Sequence, residues 1–156
     1  MKEVVEIIRN ELNSTEYEEV DALGSFLNES NNRGKVITPG SVYGFFVSLS
    51  KDEKEELFKE ARVKQTLRPT NTSLIKPIKD NIYALYWGKD KSLGARINAH
   101  VNNPKGKTGL ARLSAYTSLH GKSISCFALV VNNYSGFEAH LQSKFPDILK
   151  TKSHEL

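Results

Sequence analysis

The first part of the chain has apolar positions at helical spacing. They recur every three or four residues over positions 2–13, which predicts a short amphipathic helix. These positions are Val4, Val5, Ile8 and Leu12. A second helical stretch is predicted to begin at Ser14 or Thr15 and to reach Leu27, and residues 28–34, rich in turn formers, follow it as a linker.

The next apolar segment has a different pattern. Residues 41–49 are rich in aromatic and β-branched side chains, which predicts a strand. Ser50 and Glu53 then form an S-x-x-E sequence, which is typical of a capping box and predicts a charged helix to about Arg62. Residues 66–73 predict a loop or an irregular strand.

From residue 74 the pattern becomes clearer. Two short apolar runs, residues 74–78 and 82–87, flank a three-residue polar connection and suit an antiparallel hairpin. The elements predicted after them are a helix over 92–102, a helix over 108–119, a strand over 123–131 and a helix over 135–145. The order is therefore strand, strand, helix, helix, strand, helix.

Composition limits the class of protein. A chain of 156 residues is long enough for one domain with a real core. It has no run of about 18 apolar residues that could span a membrane, and its first residues lack the apolar segment of a signal peptide. Because Cys126 is the only cysteine, an internal disulfide and a cysteine-rich zinc site are excluded. We expect Cys126 to be buried in its strand. A cytoplasmic protein is expected.

Charge divides the chain into an acidic and a basic part. Residues 1–62 hold 8 Lys and Arg against 13 Asp and Glu, a balance of −5, whereas residues 63–156 hold 14 against 5, a balance of +9. The candidates for nucleic-acid contact in the basic part are Lys89, Lys91, Lys105, Lys107 and Arg112. Because such a surface is fitted to a polyanion, DNA is the expected partner.

Residues 86–101 carry the candidate chemistry. An apolar strand ends at Tyr86 and Gly88, a basic loop follows, and Arg96 and His100 lie one turn apart on the predicted helix. A Y-x-G strand end with an arginine eight positions after its glycine resembles the second half of the GIY-YIG nuclease signature.

The resemblance covers residues 74–149 and implies roles for these side chains. Tyr86 would orient or deprotonate the attacking water, and Arg96 would bind phosphate oxygens through its planar guanidinium. His100 would assist as a base or bind the phosphate, with an ordinary surface histidine as the alternative.

A second match lies in the last predicted helix. Glu138 opens that helix much as the family's metal-binding glutamate does, and the resemblance implies that it holds one Mg²⁺ or Mn²⁺ ion. The alternative is a capping box with Ser135, three residues earlier, which requires no chemistry.

The family's first tyrosine has two candidate positions. In the strand predicted over residues 74–78, Ile75 stands at that position. Further upstream, Tyr43 lies in G-S-V-Y, a degenerate form of the motif, on the strand predicted over residues 41–49. This second alternative requires that strand to pair directly with residues 82–87, so that residues between the two strands form an insertion.

These observations predict an α+β protein with a small three-stranded antiparallel sheet flanked by helices. Residues 41–156 would form the GIY-YIG-like domain, and residues 1–40 an N-terminal helical addition. The expected function is a metal-dependent DNA endonuclease that hydrolyses phosphodiester bonds, with a non-catalytic nucleic-acid-binding module as the alternative. Nicking of one strand and cleavage of both strands by a homodimer stay open.

Overall fold

A three-stranded sheet with helices on both sides forms the part of the chain that the structure describes. The structure, a computed structural model, describes residues 2–20, 40–90 and 113–151. Its elements in chain order are helix α1 (Lys2–Asn13), strand β1 (Ser41–Ser48), helix α2 (Lys51–Lys64), strand β2 (Ile82–Asp90), strand β3 (Ser125–Val130) and helix α3 (Tyr134–Lys144). Short 3₁₀ turns lie at Thr72–Leu74, Leu113–Ala115 and Thr117–Leu119.

The strands are antiparallel and lie in the order β2-β1-β3. Seven consecutive residues of the central strand β1, from Ser41 to Val47, are buried. A strand whose two faces are both covered has a nearly continuous run of apolar residues in its sequence, and β1 has helices on both faces. The predicted α+β class, with a three-stranded antiparallel sheet flanked by helices, is confirmed.

A β-bulge interrupts the pairing of β1 with β2. Phe45 pairs with Tyr86, whereas the next residue, Phe46, pairs with Ala84, so Leu85 is skipped. The extra residue lets Leu85 and Tyr86 join the same core, although neighbours in a regular strand alternate between faces. The bulge thus turns Tyr86 onto the face that it shares with Phe45.

Each face of the sheet has its own core. We call one the tyrosine side; it carries Tyr43, Phe45, Val47, Tyr83, Leu85 and Tyr86 and is covered by α2. We call the other the tryptophan side; it carries Val42, Phe46, Ala84, Trp87 and Leu129 and is covered by α1 and α3. Helix α1 contributes Val4, Ile8 and Leu12, all fully or almost fully buried, and therefore belongs to this core.

Helix α2 shows how local sequence sets a boundary. The Ser50 side chain accepts a hydrogen bond from the backbone N–H of Glu53, and the Glu53 side chain accepts one from the backbone N–H of Ser50. The predicted capping box is confirmed, and it satisfies two backbone donors at the start of the helix. Gln65 ends the helix in the left-handed conformation, with φ 60°.

Three predicted elements differ from the structure. Residues 14–20 form a turn and then a single β-bridge, between Glu19 and Val131, so the prediction of a second helix is wrong over this stretch. The rest of that predicted helix and the linker after it fall within residues 21–39, which lie outside the described residues. The prediction that residues 74–78 form a hairpin with β2 is wrong, because β1 is the strand that pairs with β2. Residues 113–119 form two 3₁₀ turns instead of the end of a helix.

A further correction concerns the cysteine. Cys126 is exposed, although its strand is apolar and β1 beside it is buried. Cys126 lies opposite the buried Phe45, but it belongs to β3, which is an outer strand of the sheet. Leu129, three positions later on the same strand, is buried on the tryptophan side.

Candidate active site around Tyr43 and Tyr86

The pairing of β1 with β2 brings the two candidate tyrosines together. Tyr43 lies opposite Gly88, and Phe45 lies opposite Tyr86. Tyr43 and Tyr86 are therefore diagonal neighbours on one face of an antiparallel pair, at a distance that aromatic side chains span. Of the two arrangements left open by the sequence, the direct pairing of the upstream strand with β2 is confirmed.

The two rings lie side by side within the tyrosine side. Their centroids are 6.3 Å apart with an interplanar angle of 42°, and the Tyr43 ring also meets Phe45 edge-on at 5.9 Å. Tyr43 is 1% exposed and Tyr86 9% exposed. Both side chains are therefore held in fixed orientations by packing, which is a requirement of a catalytic group as well as of a structural one.

Gly88 links the two halves of the motif. A Cβ atom at this position would overlap the ring of Tyr43, which lies directly on the glycine backbone. The absence of a side chain is thus needed for Tyr43 to lie flat against β2. The glycine of the Y-x-G sequence has a steric function in this fold, whatever chemistry the tyrosines perform.

Lys89 continues β2 beyond this glycine and is exposed. Its Nζ atom donates a hydrogen bond to Oγ of Ser135 at 3.3 Å, which brings the end of β2 next to the start of α3. Of the predicted DNA-contacting residues, Lys89 is the one in the described ranges. Its exposed ammonium group is compatible with a phosphate contact.

Glu138 lies on the second turn of α3 and is half-buried. The helix is capped by Asn133, whose side chain accepts a hydrogen bond from the backbone N–H of Gly136 at 3.0 Å. The capping-box interpretation of Glu138 with Ser135 is therefore wrong, because the N-cap lies two residues earlier. The capping-box alternative for Glu138 is thereby excluded.

The helix that carries Glu138 packs on one side of the sheet, and the two tyrosines lie on the other. Phe137 and Leu141 of α3 are buried on the tryptophan side, whereas Tyr43 and Tyr86 are buried on the tyrosine side. A site that used all three groups would therefore have to form around the end of β2, where Lys89 contacts Ser135 at the start of α3.

The other predicted site residues lie outside the described residues. They are Arg96 and His100 of the candidate catalytic set and Lys91, Lys105, Lys107 and Arg112 of the candidate DNA contacts. Their roles stay predictions from the sequence.

Glu138 is the candidate metal ligand that the sequence places among the described residues. Within residues 2–20, 40–90 and 113–151, no group of three or more His, Cys, Asp or Glu side chains could hold a metal ion. Mg²⁺ retains several of its waters and is commonly held by one or two protein carboxylates together with substrate phosphates, so Glu138 is chemically a candidate ligand for it.

Sequence analysis missed one charged group beside this region. The Asp147 side chain is fully buried; its Oδ2 accepts a hydrogen bond from the backbone N–H of Trp87 at 2.9 Å, and its Oδ1 lies 2.7 Å from Nε of Arg68. Burial raises the pKa of Asp147 to about 6, although Arg68 and the Trp87 N–H act in the opposite direction. Its one sequence signal is a lone carboxylate within an otherwise apolar F-P-D-I-L run.

Comparisons with known proteins add no assignment. No protein-family model, curated protein or solved structure matches this chain. Among the described residues, no helix has the length and apolar character needed to cross a membrane. The resemblance to GIY-YIG nucleases therefore rests on the residues themselves.

Proposed function

We propose that this protein is a metal-dependent DNA endonuclease of GIY-YIG type that acts in the cytoplasm. The observation that carries the proposal is the position of Tyr43 opposite Gly88, with its ring 6.3 Å from that of Tyr86. The degenerate first motif and the well-preserved second motif are 43 positions apart in the sequence, yet they meet on adjacent strands. A chance match to either motif would not predict this meeting.

Phosphodiester hydrolysis requires an activated water and neutralised charge on the phosphate. In the proposed site, Tyr43 and Tyr86 orient or deprotonate the water, and Arg96 contacts phosphate oxygens through two parallel hydrogen bonds. Glu138 would hold Mg²⁺ or Mn²⁺, which supplies positive charge at the leaving oxygen when bound. His100 assists as a base or as a phosphate contact.

Burial of the tyrosines favours the second candidate function, a non-catalytic nucleic-acid-binding module. A Tyr43 side chain that is 1% exposed has little access to a water nucleophile. Such a module would keep the sheet and the basic residues, including Lys89, but use the tyrosines only for packing. Its DNA binding would weaken steeply as salt concentration rises, because phosphate contacts release counterions.

Cleavage of a supercoiled plasmid at low salt with Mg²⁺ separates the two functions. The endonuclease nicks or linearises the plasmid, and EDTA abolishes the activity. The binding module retards the plasmid in a salt-sensitive manner and leaves it intact, which would overturn the endonuclease proposal.

Hydroxyl-deletion variants then test the tyrosines. Tyr43→Phe and Tyr86→Phe keep the rings and remove only the hydroxyl groups, so each should abolish cleavage while the protein stays folded. Tyr83→Phe is the matched control, because Tyr83 lies on the same strand and side, is also buried, and its hydroxyl accepts a hydrogen bond from Lys54. If Tyr43→Phe and Tyr86→Phe cleave the plasmid as fast as Tyr83→Phe and the wild type, a catalytic hydroxyl at Tyr43 and Tyr86 is excluded.

Charge-deletion variants test the remaining groups. Arg96→Ala should abolish cleavage and leave folding intact, since alanine favours the helix that the sequence predicts there. Glu138→Gln should abolish cleavage and weaken Mn²⁺ binding measured by titration, because an amide lacks the charge that a hard cation requires. Glu55→Gln, an exposed glutamate on α2, is the control and should leave both unchanged.

A further inference from the structure

Residues 145–149 form a strap along the outer edge of β2. The backbone N–H of Ile148 donates to the carbonyl of Ala84 at 3.1 Å, and that of Leu149 donates to the carbonyl of Leu85 at 2.9 Å. The strap therefore occupies the backbone acceptors at the bulge, on the side of β2 that faces away from β1. It covers a strand edge that would otherwise be open.

Trp87 is held by the strap at two points. Its indole N–H donates to the carbonyl of Phe145 at 2.8 Å, and its backbone N–H donates to Oδ2 of Asp147 at 2.9 Å. The peptide unit that bears this backbone N–H connects Tyr86 to Trp87, directly after the bulge. Fixing that peptide limits the backbone rotations that aim the Tyr86 side chain.

Asp147 joins three segments of the chain through one carboxylate. One oxygen accepts from Trp87 on β2, and the other forms an ion pair with Arg68, whose backbone N–H in turn donates to the carbonyl of Ile148 at 2.8 Å. The Asp147 side chain is fully buried, whereas that of Arg68 is about one-third exposed. The carboxylate thus lies at the junction of β2, the strap and the loop after α2.

Stability does not account for a charge at this position. Burial raises the pKa of Asp147 to about 6 in spite of Arg68, which means that the folded protein favours the neutral form more than water does. Buried ion pairs can commonly be replaced by neutral groups of similar size without loss of stability. A carboxylate that accepts strongly from a backbone N–H is therefore better explained by what it orients.

We propose that Asp147 is a positioning residue of the candidate active site, which fixes the Trp87 peptide and through it the direction of the Tyr86 hydroxyl. The proposal rests on the proposed endonuclease function for its kinetic consequence but not for its geometric one. Asp147 acts from the edge of β2, through the backbone, and takes no part in contacting DNA.

The test compares Asp147→Asn with Ile148→Val. Asn keeps the size of the side chain and an acceptor oxygen, but it removes the charge, and with it the ion pair to Arg68 and the charge assistance of the hydrogen bond from Trp87. Ile148→Val loosens the same buried strap without touching the Trp87 peptide. Plasmid cleavage should show a kcat lower by about tenfold or more in Asp147→Asn with KM within about twofold of wild type, because small displacements of reacting groups slow the chemical step. Ile148→Val should keep the wild-type kcat.

A second readout does not depend on activity. Tyrosines are replaced biosynthetically by 3-fluorotyrosine, and the ¹⁹F resonances are assigned with the Tyr43→Phe, Tyr83→Phe and Tyr86→Phe variants. Asp147→Asn should shift the Tyr86 resonance and leave that of Tyr83 in place, whereas Ile148→Val should shift neither. Because only folded molecules contribute the dispersed resonances, loss of fold cannot imitate this result.

The outcomes separate the two proposals. If the wild-type protein does not cut DNA but the Tyr86 resonance moves, the endonuclease function fails and the positioning role of Asp147 stands. If the Tyr86 resonance stays in place in Asp147→Asn, or if Ile148→Val produces the same kcat loss, the positioning proposal is wrong and the strap is only structural.

Arg68→Leu serves as the second variant should Asp147→Asn fail to fold. It leaves the carboxylate beside Trp87 and removes its partly exposed partner, so that the carboxyl accepts a proton more readily and holds the peptide more weakly. The same resonance should move in the same direction by a smaller amount. An unshifted Tyr86 resonance in this variant would also overturn the proposal.

Discussion

The two sides of the sheet are built from different aromatic residues. The four tyrosines that are buried all lie on the tyrosine side, whereas the half-buried Tyr17 and Tyr134 pack against the tryptophan side; the four are Tyr43, Tyr83, Tyr86 and Tyr116. The buried aromatic residues of the tryptophan side are Phe46, Trp87 and Phe137. Both cores bury aromatic surface, but one of them also buries hydroxyl groups, which require polar partners.

The contacts follow the same division. On the tryptophan side, Phe46 packs edge-on against Trp87 and stacks on Phe127, with ring centroids 5.2 Å apart in both pairs. On the tyrosine side, the hydroxyl groups of Thr66 and Tyr116 are hydrogen-bonded at 2.6 Å. The ring contacts of Phe46 stabilise by shape and area, whereas the bonded hydroxyl pair also orients polar groups. Substitutions should therefore separate stability from activity according to the side on which they fall.

The largest effect is expected from Phe137→Ala on the tryptophan side. The side chain is fully buried, and its removal leaves a cavity that should reduce the free energy of unfolding by about 3–5 kcal/mol. Urea denaturation measures the loss. Val63→Ala, an 84% exposed position on α2, is the control and should change stability by less than about 0.5 kcal/mol. Similar losses in the two variants would contradict the assignment of the core.

The carboxyl group of Asp147, at the edge shared by the two sides, should make stability depend on pH. Its pKa is raised from 3.8 to about 6 on folding, so the folded state holds the proton more tightly than the unfolded chain. The stabilisation is fully present below about pH 4 and is lost as the pH rises through 6, with a limit of about 3 kcal/mol. Urea denaturation of wild type and Asp147→Asn between pH 4 and 8 isolates this contribution as the difference between the curves. Parallel curves would contradict it.

Gly88→Ala sharpens the comparison by adding one methyl group to the tyrosine side. The methyl overlaps the buried ring of Tyr43, so we expect a loss of about 1–3 kcal/mol in the free energy of unfolding and a displaced ring. Gly136→Ala is the control, since its methyl meets the ends of two side chains, the hydroxyl end of the half-buried Tyr17 and the amide of Asn133, instead of a fully buried ring. The prediction fails if Gly136→Ala costs as much as Gly88→Ala in thermal denaturation.

The smallest effect is expected from Thr66→Val. This change removes the buried hydroxyl that is bonded to Tyr116 and should cost about 1–2 kcal/mol. A double-mutant cycle with Tyr116→Phe isolates the pair, and we expect a coupling energy of about 1 kcal/mol. Strictly additive losses would mean that the polar contacts on the tyrosine side do not contribute as a pair.

Local sequence signals were sufficient for the elements that they control directly. The apolar spacing of α1, the capping box of α2 and the aromatic run of β1 each specify an element without reference to distant residues. The choice of strand partner was harder. The three-residue polar connection before β2 favoured residues 74–78 as the partner strand of β2. In the structure β1 is the partner of β2, and the burial of β1 on both faces and the bulge at Leu85 decide the register.

Tertiary contacts explain the features that the sequence did not reveal. Residues 113–119 form 3₁₀ turns instead of a helix, and the Glu60 carboxylate of α2 accepts hydrogen bonds from the backbone N–H groups of Thr117 and Ser118 at 2.9 and 2.8 Å. The strap and its carboxylate depend in the same way on β2 and Arg68. The diagonal contact of Tyr43 with Tyr86 was one of two alternatives in the sequence, and only the register selects it.

The contacts that hold α1 have a consequence for how the chain folds. Oε1 of Glu11 lies 2.6 Å from Nε2 of His140, 129 positions later, and the backbone N–H of Glu18 donates to the side chain of Asn132, 114 positions later. Contacts of such sequence separation slow folding, since long loops must close first. During synthesis at about 5–20 residues per second, α1 would wait for several seconds with its apolar face uncovered. We expect the nascent chain to bind chaperones through this helix until α3 has left the ribosome.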